Sequence, residues 1–203
     1  MKIIGITGPT GAGKTTALKA MEMPGVCVLD ADAIYHELLK TCEPLRQELL
    51  ERFGDGILDE NGNIHRKKLG AIVFAEAGAL EDLNTITHRH IDREMIRRYK
   101  RAREAGDKAV VVDAIALVES GLDEYCDTVI SVLAPVEVRV ARTMQRDGIS
   151  EQYARRRIAA QKSDDFYREN SDHVFENAGN ETTEQFEKRV KEFLNTVLED
   201  KAV

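Results

Sequence analysis

The stretch that decides the fold is Lys2–Leu18, KIIGITGPTGAGKTTAL. It opens on an apolar run, Lys2–Thr7, with the composition of a buried strand. Gly8-Pro9-Thr10-Gly11-Ala12-Gly13-Lys14-Thr15 follows and matches GxxxxGK[ST] in full. A helical pattern begins near Lys14. Strand, glycine-rich loop and helix in this order make a P-loop. The glycines let successive backbone N–H groups turn toward one point. The helix N-terminus adds the positive end of its dipole. The loop is therefore expected to cradle phosphates. Lys14 is expected to reach the β- and γ-phosphates, and the Thr15 hydroxyl to be a Mg²⁺ ligand.

Working outward, further short apolar runs read as strands: Val26–Asp30, Lys108–Asp113, Thr128–Ala134 and His173–Phe175. The clearest are continuously apolar, the pattern of parallel strands covered on both faces. Helix-like segments lie between them, which indicates an α/β fold with a five-stranded parallel sheet. The gap from Asp30 to Lys108 is too long for one crossover helix. It carries helical patterns at Ala33–Lys40, Glu43–Phe53, Arg66–Ala75 and Leu80–Glu104. The expected organisation is a P-loop NTPase core over 1–32, 105–135 and 162–203. A helical substrate-binding insertion spans 33–104, and a helical lid spans 136–161. The lid reads as two helices broken at Asp147-Gly148, with Ser150 capping the second. Thr182 or Thr183 is expected to cap a last amphipathic helix, Glu184–Leu198.

The chain has 203 residues and a net charge of −7. That weighs against a general nucleic-acid or membrane-surface binder. The three cysteines, Cys27, Cys42 and Cys126, form no CxxC, and free thiols fit a reducing cytoplasm. No apolar run approaches the roughly 20 residues of a membrane span. Lys2–Thr7 is too short for the apolar part of a signal peptide. The acidity is uneven. Residues 164–203 carry eleven Asp+Glu against five Lys+Arg. Arg139–Arg157 is locally +4 and Arg89–Arg103 locally +5, so small polyphosphates remain natural partners.

A P-loop does not by itself say what becomes of the phosphate. No NKxD for guanine occurs, and Asp113 is followed by Ala-Ile-Ala rather than leading a DxxG. A small phosphoryl-transfer enzyme fits better. It needs an orienting carboxylate, a metal and positive charge over the transferred group. Asp30-Ala31-Asp32 closes the second strand, and ligands of open α/β sheets bind beyond the carboxyl ends of strands. Position favours Asp32 for catalysis, with Asp30, nearer the strand, buried either as a cap or as a group that supports Asp32. Asp113 ends VVVD as a Walker-B acid does and is expected to hold Mg²⁺ through water. Arg139, Arg142 and Arg146 repeat at three and four, placing three guanidiniums on one helix face. The basic insertion helix reads either as a dock for an anionic substrate or as a solvated face. His88 and His90, two apart, point to different sides, which argues against a metal site.

The chain resembles the dephospho-coenzyme A kinases from about Ile3 to Asn177. VLDADAIYHELL, RFGDGILDENGNIHRKKLGAIVF, NTITHRHI, VVVDAIALVESGL, RTMQRDGISEQYARRRIAAQ and VFENAGN carry the likeness in order and spacing. The resemblance implies ATP-dependent phosphorylation of the ribose 3′-hydroxyl of dephospho-CoA, the last step of coenzyme A synthesis, by a cytoplasmic monomer or weak homo-oligomer. It implies Asp32 as catalytic base, Gly11, Ala12, Gly13, Lys14, Thr15 and Thr16 as the cradle of the ATP phosphates, and Lys14 and Arg142 as stabilising the phosphoryl group; Arg146, on the helix face of Arg142, is expected to bind ATP as part of the lid. It also implies Asn177 near adenine, and Asp32, Arg66, His88 and Leu117 in contact with dephospho-CoA. Four features depart from the family pattern: Arg89 for a proline, Ala116-Leu117 for Pro-Leu, Pro9-Thr10 for Gly-Ile, and Lys-Ser-Asp-Asp after Gln161. None removes a group needed for transfer. A nucleoside, nucleotide or sugar kinase of the same fold is the nearest alternative. A tRNA prenyltransferase shares the Gly-Pro-Thr loop but is a larger protein.

Overall fold

The computed structural model describes residues 1–199; positions 200–203, the end of the core expected over 162–203, lie outside them. The elements in chain order are β1 (Lys2–Thr7), α1 (Lys14–Met21), β2 (Val26–Asp30), α2 (Ala31–Thr41), α3 (Glu43–Phe53), α4 (Arg66–Ala75) and α5 (Ala79–Glu104). There follow β3 (Ala109–Asp113), β4 (Thr128–Leu133), α6 (Val136–Asp147), α7 (Glu151–Ala159), α8 (Asp164–Glu169), β5 (His173–Glu176) and α9 (Thr183–Glu199). The five strands form one sheet in the order β2-β3-β1-β4-β5. β1 runs parallel to both β3 and β4, and β4 parallel to β5.

The chain divides into two compact units, one of Met1–Leu29 with the chain from Ala102 onward, the other of Asp30–Arg101. In the first, continuously apolar strands do what their composition dictates. Ile4 and Ile6 of β1, Val110–Val112 of β3 and Ile130 and Val132 of β4 are fully buried. α1 and α9 add Ala17, Met21, Phe186, Val190 and Leu194 to the core cluster. The apolar stripe of α9 thus meets the α1 side of the sheet. In the second unit Ile34 of α2, Leu45 and Leu49 of α3, Ile57 of the turn that follows, Leu69 of α4 and Met95 of α5 are buried.

The boundaries are set by local chemistry. Asp30 accepts a hydrogen bond from the Ala33 N–H at 2.8 Å, so α2 starts at Ala31 rather than Ala33. Asp30 is exposed, correcting the expectation of a buried cap. Gly148 takes φ +64° and ends α6 with a left-handed residue, and Ser150 caps α7 through the Tyr153 N–H. Thr182 is the cap of α9: its hydroxyl accepts from Gln185 N, while the Gln185 side chain accepts from Thr182 N. α8 has no counterpart in the sequence reading. Ser163 caps it by accepting from the Phe166 N–H at 3.2 Å, and six residues are too few to display a helical period.

Candidate active site

β1 delivers the chain into the P-loop, and three glycines shape it. Gly8, Gly11 and Gly13 have φ of +145°, +78° and +106°, a region that other residues enter only at a cost. They are also hemmed in. A Cβ on Gly8 would lie 2.4 Å from the Val132 carbonyl oxygen, one on Gly11 2.7 Å from the Arg139 carbonyl oxygen, and one on Gly13 2.2 Å from Asn177 Nδ2. Gly13 is the N-cap of α1 and supplies no side-chain acceptor. The first N–H groups of α1 are therefore left for an anion.

The loop is fastened from several later elements. Arg139 of α6, 2% exposed, donates from Nε to the Thr10 carbonyl at 3.1 Å and from a terminal nitrogen to Gln161 Oε1 at 3.2 Å. Gln161 Oε1 also accepts from the Thr10 N–H at 3.1 Å, and Asp164 balances the guanidinium at 3.4 Å. Burial holds the Arg139 pKa below its ordinary value, opposed by the Asp164 charge. Arg142, one turn on, donates to the Gly11 and Ala12 carbonyls at 3.3 Å each and to Asn177 Oδ1 at 3.0 Å. Asn177, 7% exposed, donates from Nδ2 to the Ala12 carbonyl at 2.9 Å. Its amide is thus engaged at both ends by the loop and by Arg142.

Lys14, the first residue of α1, forms an ion pair with Asp113, the last residue of β3. Thr15 beside it is exposed. Gly8–Gly11, Lys14, Thr15, Ile115, Arg142, Gln145, Arg146 and Gln161 are among the residues lining a cleft of ≈ 430 Å³. A smaller recess of ≈ 150 Å³ opens off Gly13, Thr16, Arg142 and Asn177 toward Thr182, Thr183 and Phe186.

The regular arginine spacing of α6 therefore conceals three different environments. Arg139 is a buried strut, which corrects its placement on a guanidinium-bearing open face. Arg142 is half-buried at the cleft wall, with its pKa lowered by burial. Arg146 is exposed, paired to Asp147 at 2.6 Å, and lines the cleft. On α7, Arg155 is bound to Glu137 and Glu151, and Arg157 to Asp147. Leu117 is wholly buried, with both methyls near Gly5, and presents no surface to a ligand.

In the second unit, Asp32 is exposed in the first turn of α2. Arg66 is exposed at the start of α4, close enough to Tyr35 for its charge to oppose the burial that raises the tyrosine pKa. His88 of α5 interacts with Asp92, whose pKa burial raises and His88 lowers. Ion pairs offset part of the basic character of α5. Arg89 pairs with Glu48, Arg97 with Glu94, and Arg98 with both Glu94 and Glu37.

Sequence reasoning missed Gln161 and the structural use of Arg139 and Asn177. Gln161 closes the RTMQRD…AAQ stretch, but a single glutamine at a helix end carries no local signal.

The chain is similar to known proteins along most of its length. The family model described as CoaE, dephospho-CoA kinase, matches residues 2–183. A dephospho-CoA kinase of Bacillus licheniformis is 39% identical over 177 residues, covering 87% of this chain and 88% of that protein. One of Aquifex aeolicus is 39% identical over 200 residues, covering 98% of this chain and 100% of its own. The crystal structure of TT1252 from Thermus thermophilus superposes with a TM-score of 0.78 at 28% identity, covering 100% of this chain and 98% of that one. With a phosphate-binding loop, its lysine–aspartate pair and the α6 arginines in place, and a family match along nearly the whole chain, this protein belongs to the dephospho-CoA kinase family.

Proposed function

We propose that the chain transfers the γ-phosphoryl group of ATP to the ribose 3′-hydroxyl of dephospho-CoA, with Asp32 accepting the hydroxyl proton. The observation that carries the reading is the P-loop itself, held open by Arg139, Arg142, Gln161 and Asn177, with Lys14 and Asp113 paired at its mouth. Asp30 closes β2 as Asp113 closes β3, and Asp32 stands two residues further on in α2, as the P-loop follows on β1. Ligands of open α/β sheets bind beyond these strand ends. Asp30 is committed to capping α2, which leaves Asp32 as the free carboxylate of the pair for proton transfer.

In this reading Gly11–Thr16 take the phosphates on backbone N–H groups. Lys14 exchanges its Asp113 partner for phosphoryl oxygens. Arg142 and Arg146, on the cleft wall, offset the charge that builds on the transferred group. Asn177 serves ATP by fixing the loop and shaping the recess at Thr16, where the adenosine end is accommodated. Arg66 and His88 take dephospho-CoA. α6 and α7 act as a lid over ATP.

Mg²⁺ needs few protein ligands when phosphates supply the rest of its shell. The Thr15 hydroxyl and the Asp113 carboxylate fit that requirement, the latter through water. The ion supplies neutralisation of the β- and γ-oxygens when bound. The chain works in the cytoplasm as a monomer or weak homo-oligomer, without nucleic acid or membrane. Among the described residues no helix is long and apolar enough to cross a membrane.

The test contrasts two neighbouring carboxylates. Asp32→Asn lowers kcat by at least about 10²-fold with ATP affinity nearly unchanged, because it removes a transition-state role. Asp30→Asn keeps kcat within a few-fold and costs stability instead. Loss of turnover in Asp30→Asn with an active Asp32→Asn reverses the assignment.

A further inference from the structure

Away from the P-loop, the second unit holds a chain of three reactive side chains. Cys42 Sγ lies 3.6 Å from His90 Nδ1, and His90 Nε2 lies 3.3 Å from Glu48 Oε1. Glu48 Oε2 accepts from Arg89 at 2.6 Å. His90 is 5% exposed. The carboxylate can only accept, so the imidazole donates from Nε2, and the neutral ring then turns an unprotonated Nδ1 toward the thiol. Cys42 joins two helices, as the C-cap of α2 and the N-cap of α3, and makes no side-chain capping bond, so its sulfur is left to His90. It is half-buried and thus reachable. Among the described residues no group of three or more His, Cys, Asp and Glu side chains is placed to hold a metal ion. A nucleophile, a base and a group that orients the base are the components of an activated thiol. Arg89, where the family pattern has proline, supplies the last anchor.

We propose that Cys42 is a thiol–disulfide exchange site, with His90 as its base and Glu48 as the residue that positions His90. The co-reactant is a small-molecule disulfide. Cys42 Sγ attacks one of its sulfurs as the thiol proton passes to His90 Nδ1. The new S–S bond forms while the old one breaks, and the departing thiolate takes the proton from His90 and leaves as a thiol. Oxidation state balances within the exchange, so no further oxidant is needed. His90 is the group that meets the thiol, and Arg89 offsets the charge of the Glu48 carboxylate behind it. Cys126 is the inert reference: burial, assisted by Asp123, Asp127 and Asp172, pushes its pKa up to about 12.

The test treats the full-length native protein with dithiodipyridine at neutral pH, following thiopyridone release and locating the adduct by peptide mass spectrometry. Oxidised glutathione serves as a second probe. Cys42 is expected to be modified first, at least about tenfold faster in the native protein than in the urea-unfolded chain. His90→Phe is expected to slow Cys42 by about tenfold or more, and Glu48→Gln by less. If Cys42 reacts no faster native than unfolded, if Cys27 reacts first, or if native His90→Phe reacts as fast as the unsubstituted protein, the proposal is overturned. The native-to-unfolded comparison needs no variant and decides the matter even where His90→Phe folds poorly.

Discussion

Asn177 accepts a hydrogen bond from the Arg142 guanidinium at 3.0 Å through the same amide whose nitrogen binds the Ala12 carbonyl. The residue after β5 and the middle of α6 are thereby joined over the P-loop, 165 positions away from Asn177 along the chain. Removing the amide leaves the Ala12 carbonyl without its side-chain partners' full complement. Asn177→Ala is expected to cost about 1–3 kcal/mol of stability, read by urea unfolding, and to raise KM for ATP more than it lowers kcat. An unchanged KM with normal stability would show the lock to be dispensable.

The neighbouring glycine tests crowding separately from backbone preference. Gly13→Ala puts a methyl against Asn177 Nδ2 in addition to demanding φ +106°. Gly148→Ala asks for φ +64° but meets open space. The second change is expected to cost about 1 kcal/mol, and the first clearly more, with ATP binding lost by calorimetry. Equal costs would mean that the Asn177 contact yields freely.

Arg139 and Arg142 sit one turn apart and are expected to fail differently. Arg139→Ala strips a buried cation from Thr10, Gln161 and Asp164 and is expected to lower Tm, by the equivalent of about 3 kcal/mol or more. Arg142→Ala is expected to lower kcat with a smaller thermal effect. Thermal melts beside steady-state kinetics separate the two patterns.

Cys126 makes stability depend on alkaline pH. The folded state holds the thiol proton more tightly than the unfolded chain, with the pKa raised from 9.0 to about 12. The unfolded state therefore binds fewer protons above pH 9, and stability is lost as pH rises from there toward 12. Urea midpoints at pH 8 and pH 10 are expected to diverge less in Cys126→Ala than in the unsubstituted protein.

What was legible in the residues was whatever repeats or caps locally. The P-loop declared itself by motif and context. β1 to β4 did so by apolar runs, and α3 and α4 by period, to the residue. Illegible were the relationships made across the fold. The three-and-four spacing of Arg139, Arg142 and Arg146 says that they share a helix face, but not that the N-terminal end of that face is buried under Thr10. The family resemblance implies Asn177 near adenine, yet its use as a fastener depends on the Ala12 carbonyl, 165 positions away. Nor did the spacing of His88 and His90 reveal Cys42, on a different element, as the partner of His90.

The central claim is most directly tested by ADP release with Mg²⁺ and ATP across dephospho-CoA, adenosine, uridine, gluconate and tRNA as acceptors. The account predicts turnover with dephospho-CoA far above the others, with the product heavier by one phosphate. Turnover no greater with dephospho-CoA than with the remaining acceptors would contradict it.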